Sequence, residues 1–268
     1  YPLRSCGFVR ADRVLELRQL LDRLGTVTGL VEEEKDPEEF LTTLLEQVLK
    51  TEPFIKVKSG KEVNPAYFYQ VLADKDSERV LPSVEELLKK SFHQTEVKLT
   101  ELPSCLLVQM PRFGKGFKMY KRILPSLTIN IGQLVENYPQ DCAVCGRLAK
   151  HYCTECFRSS IDVDCSGNYC MDCNKRVHSN VKRNKHNAKP IAVSRPVSSS
   201  FGDRPVEHHE MELFAVICIE TSHYVTFAKC EEPGGTVKWC FFDSMADRVG
   251  KGTDRSTWCS QRTEGGVM

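Results

Sequence analysis

The chain has 268 residues, 41% of them apolar and 27% charged, with a formal net charge of +1. That is enough apolar side chain for a sizeable core, and too little net charge for a disordered chain or for a nucleic-acid binder driven by bulk charge. No apolar run reaches the length of a membrane span, and no signal peptide is visible.

Val14, Leu17, Leu20, Leu21 and Leu24 recur on one helical face, predicted to pack inward, and Gly25 is a natural stop. Asp36-Pro37-Glu38-Glu39 predicts a second helix start. Asp36 suits the N-cap, Pro37 the first helical position, and Glu39 the capping-box position. Phe40, Leu41, Leu44, Leu45, Val48 and Leu49 follow as a wide apolar face. A third helix is predicted from Ser83, with Glu86 in the box position and Val84, Leu87 and Leu88 inward. Strand-like runs are predicted at 54–58, 67–72 and 96–99, and Cys105 to Met110 reads as a short buried strand.

The next segment carries three C-x2-C pairs: Cys142 with Cys145, Cys153 with Cys156, and Cys170 with Cys173. His178 and His186 follow. Two intervening residues let both thiolates of a pair reach one metal, and tetrahedral Zn²⁺ needs four such ligands. Eight ligands therefore predict two closed, structural zinc sites. Sequential and interleaved sharing of the pairs both satisfy that count. His151, two residues before Cys153, is a competing ligand, and Cys165 reads as a spare loop cysteine. Lys175, Arg176, Lys182, Arg183 and Lys185 make the end of this segment basic, either as a patch for an acidic partner or as a solvated face offsetting thiolate charge. The other cysteines lie scattered among apolar residues, which fits a reducing cytoplasmic compartment.

Residues 190–206 are rich in Pro, Ser and Arg and read as a linker. Three consecutive strands are predicted at 213–219, 224–228 and 237–242. His223 starts the second and Asp243 ends the third. Adjacent antiparallel strands would set them side by side, and a carboxylate that orients an imidazole is the supporting half of a Cys-His-Asp arrangement. The whole reads as an α+β protein with a nested zinc module.

Met211-Glu212-Leu213-Phe214-Ala215-Val216, Ser222-His223-Tyr224-Val225 and Trp239-Cys240-Phe241-Phe242-Asp243-Ser244 together resemble the histidine box of ubiquitin-specific proteases. Leu102 to Phe113 resembles that family's central strand motif, and Lys35-Asp36-Pro37-Glu38-Glu39-Phe40 its helix motif after the cysteine box. The resemblance covers roughly residues 1 to 248. It implies a papain-like hand of thumb, palm and fingers. On that reading residues 1–141 hold the thumb and part of fingers and palm, 142–189 the zinc module, 190–248 the palm strands with the histidine box, and 249–268 a divergent tail. The cysteine spacing is similar to that of B-box modules, which implies interleaved pairing.

The activity implied is a cysteine-type deubiquitinase, a thiol protease acting at the C-terminal glycine of ubiquitin in polyubiquitin. His223 would be the base, Asp243 its orienter, and Asp36 a residue facing the ubiquitin tail. Linear and open lysine-linked chains, and a role in restraining inflammatory (NF-kappa-B) signalling, are implied in the same way; no nucleic-acid partner is. The family's nucleophile sits in an asparagine-cysteine box expected upstream of Tyr1, so the chain is expected to lack it and to be inactive alone. Cys6 lacks the flanking residues of that box. Two alternatives are a non-catalytic ubiquitin-binding module on the same fold, and a B-box scaffold protein. The second would predict a RING or coiled-coil heptads, and neither is seen.

Overall fold

The computed structural model describes residues 9–24, 29–33, 36–72, 81–110, 120–159, 166–191, 204–220, 223–231 and 235–243. The expectations for Cys6, Cys165 and the 249–268 tail lie outside these. The chain forms two compact units, one of residues 1–52 with 214–268 and one of residues 53–213. Helices and strands are mixed in both the order and the kind expected of an α+β protein.

The first unit opens with helix α1 (Ala11–Arg23) and helix α2 (Pro37–Thr43), the latter continuing as a π-turn over Leu44–Val48. Asp36 caps α2 as predicted, although its carboxylate accepts from Glu38 N–H rather than from Glu39. The face predicted to pack inward from α1 does not. Leu21 alone is buried, against Leu30 with Phe40 beside them, while Val14, Leu17, Leu20 and Leu24 are exposed. Val48 and Leu49 are exposed as well. Periodicity marks an apolar face; among the described residues nothing covers these two. The unit closes with a three-stranded antiparallel sheet in sequence order, described below with the site it carries.

The second unit holds the main core. Strands β1 (Ile55–Ser59), β2 (Glu62–Ala66) and β4 (Val97–Leu99) form an antiparallel sheet of order β2-β1-β4, and β3 (Phe68–Gln70) pairs in parallel with β5 (Leu107–Gln109). Helix α3 (Val84–Gln94) starts where predicted: Ser83 Oγ accepts from Glu86 N–H at 3.1 Å. Its Leu87, Leu88 and Phe92 are buried with Ile55, Val71, Leu99 and Ile131. Val84 and the β5 segment, expected to be buried, are half-buried. Strand β6 (Thr128–Asn130) pairs antiparallel with β10 (Glu210–Glu212), with Asn130 opposite Glu210.

Between those two strands lies the cysteine-rich module. It contains β7 (His151–Tyr152), α4 (Thr154–Ser159), β8 (Asn168–Tyr169), α5 (Met171–His178) and β9 (Lys189–Pro190), with the sheet ordered β8-β7-β9. The end of the expected linker is in fact packed: Pro205 bridges to Arg147, and Val206 is buried. The module also meets the last turn of α3. Tyr152 Oη lies 3.0 Å from His93 Nδ1, and the Phe157 ring packs on the same imidazole. Burial holds the His93 pKa below its usual value, helped by Arg158 and Lys98.

Candidate functional site

The eight metal-ligand residues gather into two clusters. Cys142, Cys145, Cys170 and Cys173 form one; Cys153, Cys156, His178 and His186 form the other. In each, the ligand atoms lie within 4.8 Å of one another. This is the interleaved arrangement. His151 belongs to neither cluster, because its backbone is held in β7 between Tyr169 and Pro190. Short turns do the positioning. Cys156 N–H donates to Cys153 Sγ at 3.4 Å, and Cys173 N–H to Cys170 Sγ at 3.5 Å, so each pair closes on itself and starts a helix. Gly167 permits the close approach of β8. Its φ is +71°, and a Cβ there would meet the Cys153 carbonyl at 2.8 Å.

The donor set fits zinc. A tetrahedron with Zn–S of about 2.3 Å has S···S edges of about 3.8 Å. The Cys145 and Cys170 sulfurs are 3.8 Å apart. Mixed S···N edges should be about 3.6 Å, and Cys156 Sγ lies 3.5 Å from His178 Nε2 and 3.2 Å from His186 Nδ1. His178 Nδ1 sits 2.9 Å from the Asn174 carbonyl, which requires Nδ1–H as donor and leaves Nε2 unprotonated for metal. Burial pushes the Cys153 and Cys173 thiols up to about 12, and raises Cys142 too. Burial also acts upward on Cys145, but hydrogen bonds from Arg147, then from Cys142 and Cys173, outweigh it and bring the thiol down to about 6.

The first unit carries a separate constellation on β11 (Ala215–Glu220), β12 (His223–Glu231) and β13 (Val237–Asp243). Val225 pairs with Asp243, so His223 lies on the same sheet face, one diagonal step away. The result is a contact of 2.7 Å between His223 Nε2 and Asp243 Oδ1, with both side chains about a quarter exposed (29% and 24%). In the neutral ring, Nε2–H donates to the carboxylate and Nδ1 keeps its lone pair for a proton. Among the described residues, no cysteine sulfur is hydrogen-bonded to His223.

Asp36 is tied to this sheet. While Oδ1 accepts from Glu38 N–H at 2.9 Å, Oδ2 accepts from Tyr224 Oη at 3.0 Å. Tyr224 follows His223 directly. Its partner lies 188 residues away in sequence, so nothing in the local pattern pointed to it. Arg147, which sits against Cys145 and Cys170, was likewise not singled out.

Comparison with known proteins identifies the family. The chain is 43% identical over 257 residues to the ubiquitin carboxyl-terminal hydrolase CYLD of Homo sapiens, 42% identical over 255 residues to that of Bos taurus, and 41% identical over 255 residues to that of Mus musculus. The chain is a CYLD-like member of the ubiquitin-specific protease family. Each match covers 93% of the chain and 26% of the relative, so the chain spans about a quarter of the length of the CYLD proteins it matches. No family model matches it. Those CYLD relatives are named for hydrolysis at the carboxyl terminus of ubiquitin. Among the described residues, no helix is long and apolar enough to cross a membrane.

Proposed function

We propose that this chain is part of a cysteine-type deubiquitinase that hydrolyses isopeptide or peptide bonds at the C-terminal glycine of ubiquitin in polyubiquitin chains. The observation that supports it most is the 2.7 Å His223–Asp243 contact on adjacent strands. Asp243 holds the imidazole in one tautomer, and Nδ1 takes the proton of a cysteine thiol. The thiolate attacks the glycine carbonyl, and His223 returns the proton to the leaving amine. Water then releases ubiquitin from the thioester, with the same imidazole as base.

The thiol comes from the family's cysteine box, outside the described residues. The scaffold is the papain-like hand of thumb, palm and fingers. Asp36 contributes to the ubiquitin-tail surface: a carboxylate offers about four lone-pair positions, and two are engaged by Glu38 and Tyr224. The two clusters hold two structural Zn²⁺ ions, which hold the module folded and take no part in bond breaking. The substrates are linear and open lysine-linked chains, and the protein works in the cytoplasm.

The test is cleavage of a ubiquitin–fluorophore by the full-length protein and by its His223→Ala variant. Loss of turnover by several orders of magnitude, with the fold retained, is expected. Unchanged turnover in His223→Ala would overturn the assignment.

A further inference from the structure

The two clusters differ in a way that their shared structural role does not require. Of the eight ligands, Cys145 alone is exposed; the other five cysteines are buried and the two histidines half-buried. Four thiolates around one divalent cation leave a net charge of −2, whereas two thiolates and two imidazoles leave none. The excess charge sits on sulfur, and sulfur that is both charged and exposed is the most readily attacked by electrophiles. Arg147 is the compensating group. Its Nε lies 3.5 Å from Cys145 Sγ and its Nη2 3.8 Å from Cys170 Sγ, while the same Nη2 is 3.3 Å from Asp172 Oδ2. The guanidinium thus lies across Cys145 and Cys170, whose sulfurs are already 3.8 Å apart.

We propose that Cys145 is a site of attack by hydrogen peroxide, with Cys170 as the sulfur that completes a disulfide, so that the all-cysteine cluster is a redox-labile metal site and the Cys2His2 cluster is not. This rests on the two-zinc reading given above. In the first step the Cys145 thiolate attacks one peroxide oxygen, and the O–O bond breaks. Cys145 becomes a sulfenic acid, and the other oxygen leaves as water after taking a proton from solvent. In the second, the Cys170 thiolate attacks the Cys145 sulfur. The S–S bond forms, the S–O bond breaks, and the hydroxide leaves, taking a proton from solvent to become a second water. Two thiolates lose two electrons and the peroxide gains them. Only Cys142 and Cys173 then remain as ligands, and two ligands do not hold zinc.

The fold gives this event a reach. Cys170 caps α5, Cys173 lies in its first turn, and His178 is its last residue and a ligand of the other cluster. Oxidation at one end of this helix loosens the element that carries a ligand of the second site. Loss of the second zinc therefore follows the first rather than accompanying it.

The experiment takes the full-length protein, counts its zinc by native mass spectrometry, and follows zinc release with a chromogenic chelator during hydrogen peroxide addition. One zinc per chain is expected to leave at least about tenfold faster than the other, following the exposure of its thiolate. A Cys145–Cys170 disulfide should appear in the peptide map, and dithiothreitol with zinc should restore both ions. Equal release rates, or a first disulfide that excludes Cys145, overturn the proposal. Fewer than two zinc ions before peroxide overturn the two-site reading instead. Cys145→His supplies a fourth ligand that forms no disulfide. It should keep two zinc ions and slow the first phase at least about tenfold, and a first phase as fast as in the unmodified protein would also overturn the proposal. If the variant fails to bind both ions, the disulfide map of the unmodified protein decides.

Discussion

Replacing Asp36 by alanine should destabilise the first unit by about 1.5–2 kcal/mol, and the sum has two separable parts. The first is the helix cap. Asp36 Oδ1 accepts from Glu38 N–H at 2.9 Å, and losing such a cap costs about 1 kcal/mol. The second is the Tyr224 hydroxyl, 3.0 Å from Oδ2, an exposed bond to a charged acceptor that contributes about 0.5–1 kcal/mol. Tyr224→Phe removes only the second part. The double variant therefore shows a coupling energy equal to that part, about 0.5–1 kcal/mol, while the cap contribution stays additive. Asp36→Asn keeps an oxygen for the cap and an amide that donates to the tyrosine oxygen, so it should cost little. The assay is urea unfolding followed by tryptophan fluorescence in a Trp258→Phe background, where Trp239 on β13 reports this unit alone. Coupling within about 0.2 kcal/mol of zero would mean that the Asp36–Tyr224 bond does not hold α2 to β12. A cost for Asp36→Ala below about 0.3 kcal/mol would remove the cap argument too.

Asp243→Ala in the full-length protein should lower kcat by about 10²–10⁴ with KM nearly unchanged, because the carboxylate orients the base without touching ubiquitin; a KM effect alone would contradict that role. Loading zinc at pH 7 should release at least three protons per chain, one each from Cys142, Cys153 and Cys173, whose pKa values burial raises above the ordinary thiol value; a pH-indicator titration checks the count. Because protons and zinc compete for those sulfurs, affinity falls as pH falls, and Cys145 joins the competition only near and below about pH 6. Leu88→Ala, at a side chain with no exposure, should cost about 2–5 kcal/mol, and Leu20→Ala on exposed α1 should stay within about 0.5 kcal/mol; thermal or urea denaturation separates the two.

The parts of the fold that were legible in the sequence are those fixed by local chemistry. The Ser83 cap, the Asp36-Pro37 start and the three C-x2-C turns depend on residues within three or four positions of one another. The sharing of cysteine pairs between the two clusters was not legible from spacing alone, because the choice is made by how β8 pairs with β7 and α5 packs back on β8. Strand β2 was missed because Glu62-Val63-Asn64-Pro65-Ala66 has no alternating apolar pattern; it lies at the edge of its sheet, where a proline is tolerated. The β6–β10 pair was missed because three-residue strands signal weakly and find their partner only across 80 residues. On α1 the pattern was real and the inference from it failed. Leu17, Leu20 and Leu24 line one face, yet a face says nothing about what lies against it. His223 and Asp243 were legible as a pair because both sit at strand ends whose antiparallel register could be counted.

The pairing of β6 with β10 bears on how the cysteine-rich segment is carried by its host. Asn130 and Glu210 are register partners, so the chain leaves for the module and returns from it at points only about 5 Å apart. An excursion that starts and finishes at one rung of a ladder adds no span that the rest of the unit must bridge. Its first residues are not part of the module: Ile131, Leu134 and Val135 are buried in the core of the host. A second tie, from Tyr152 and Phe157 to His93, fastens the module to α3 away from that rung.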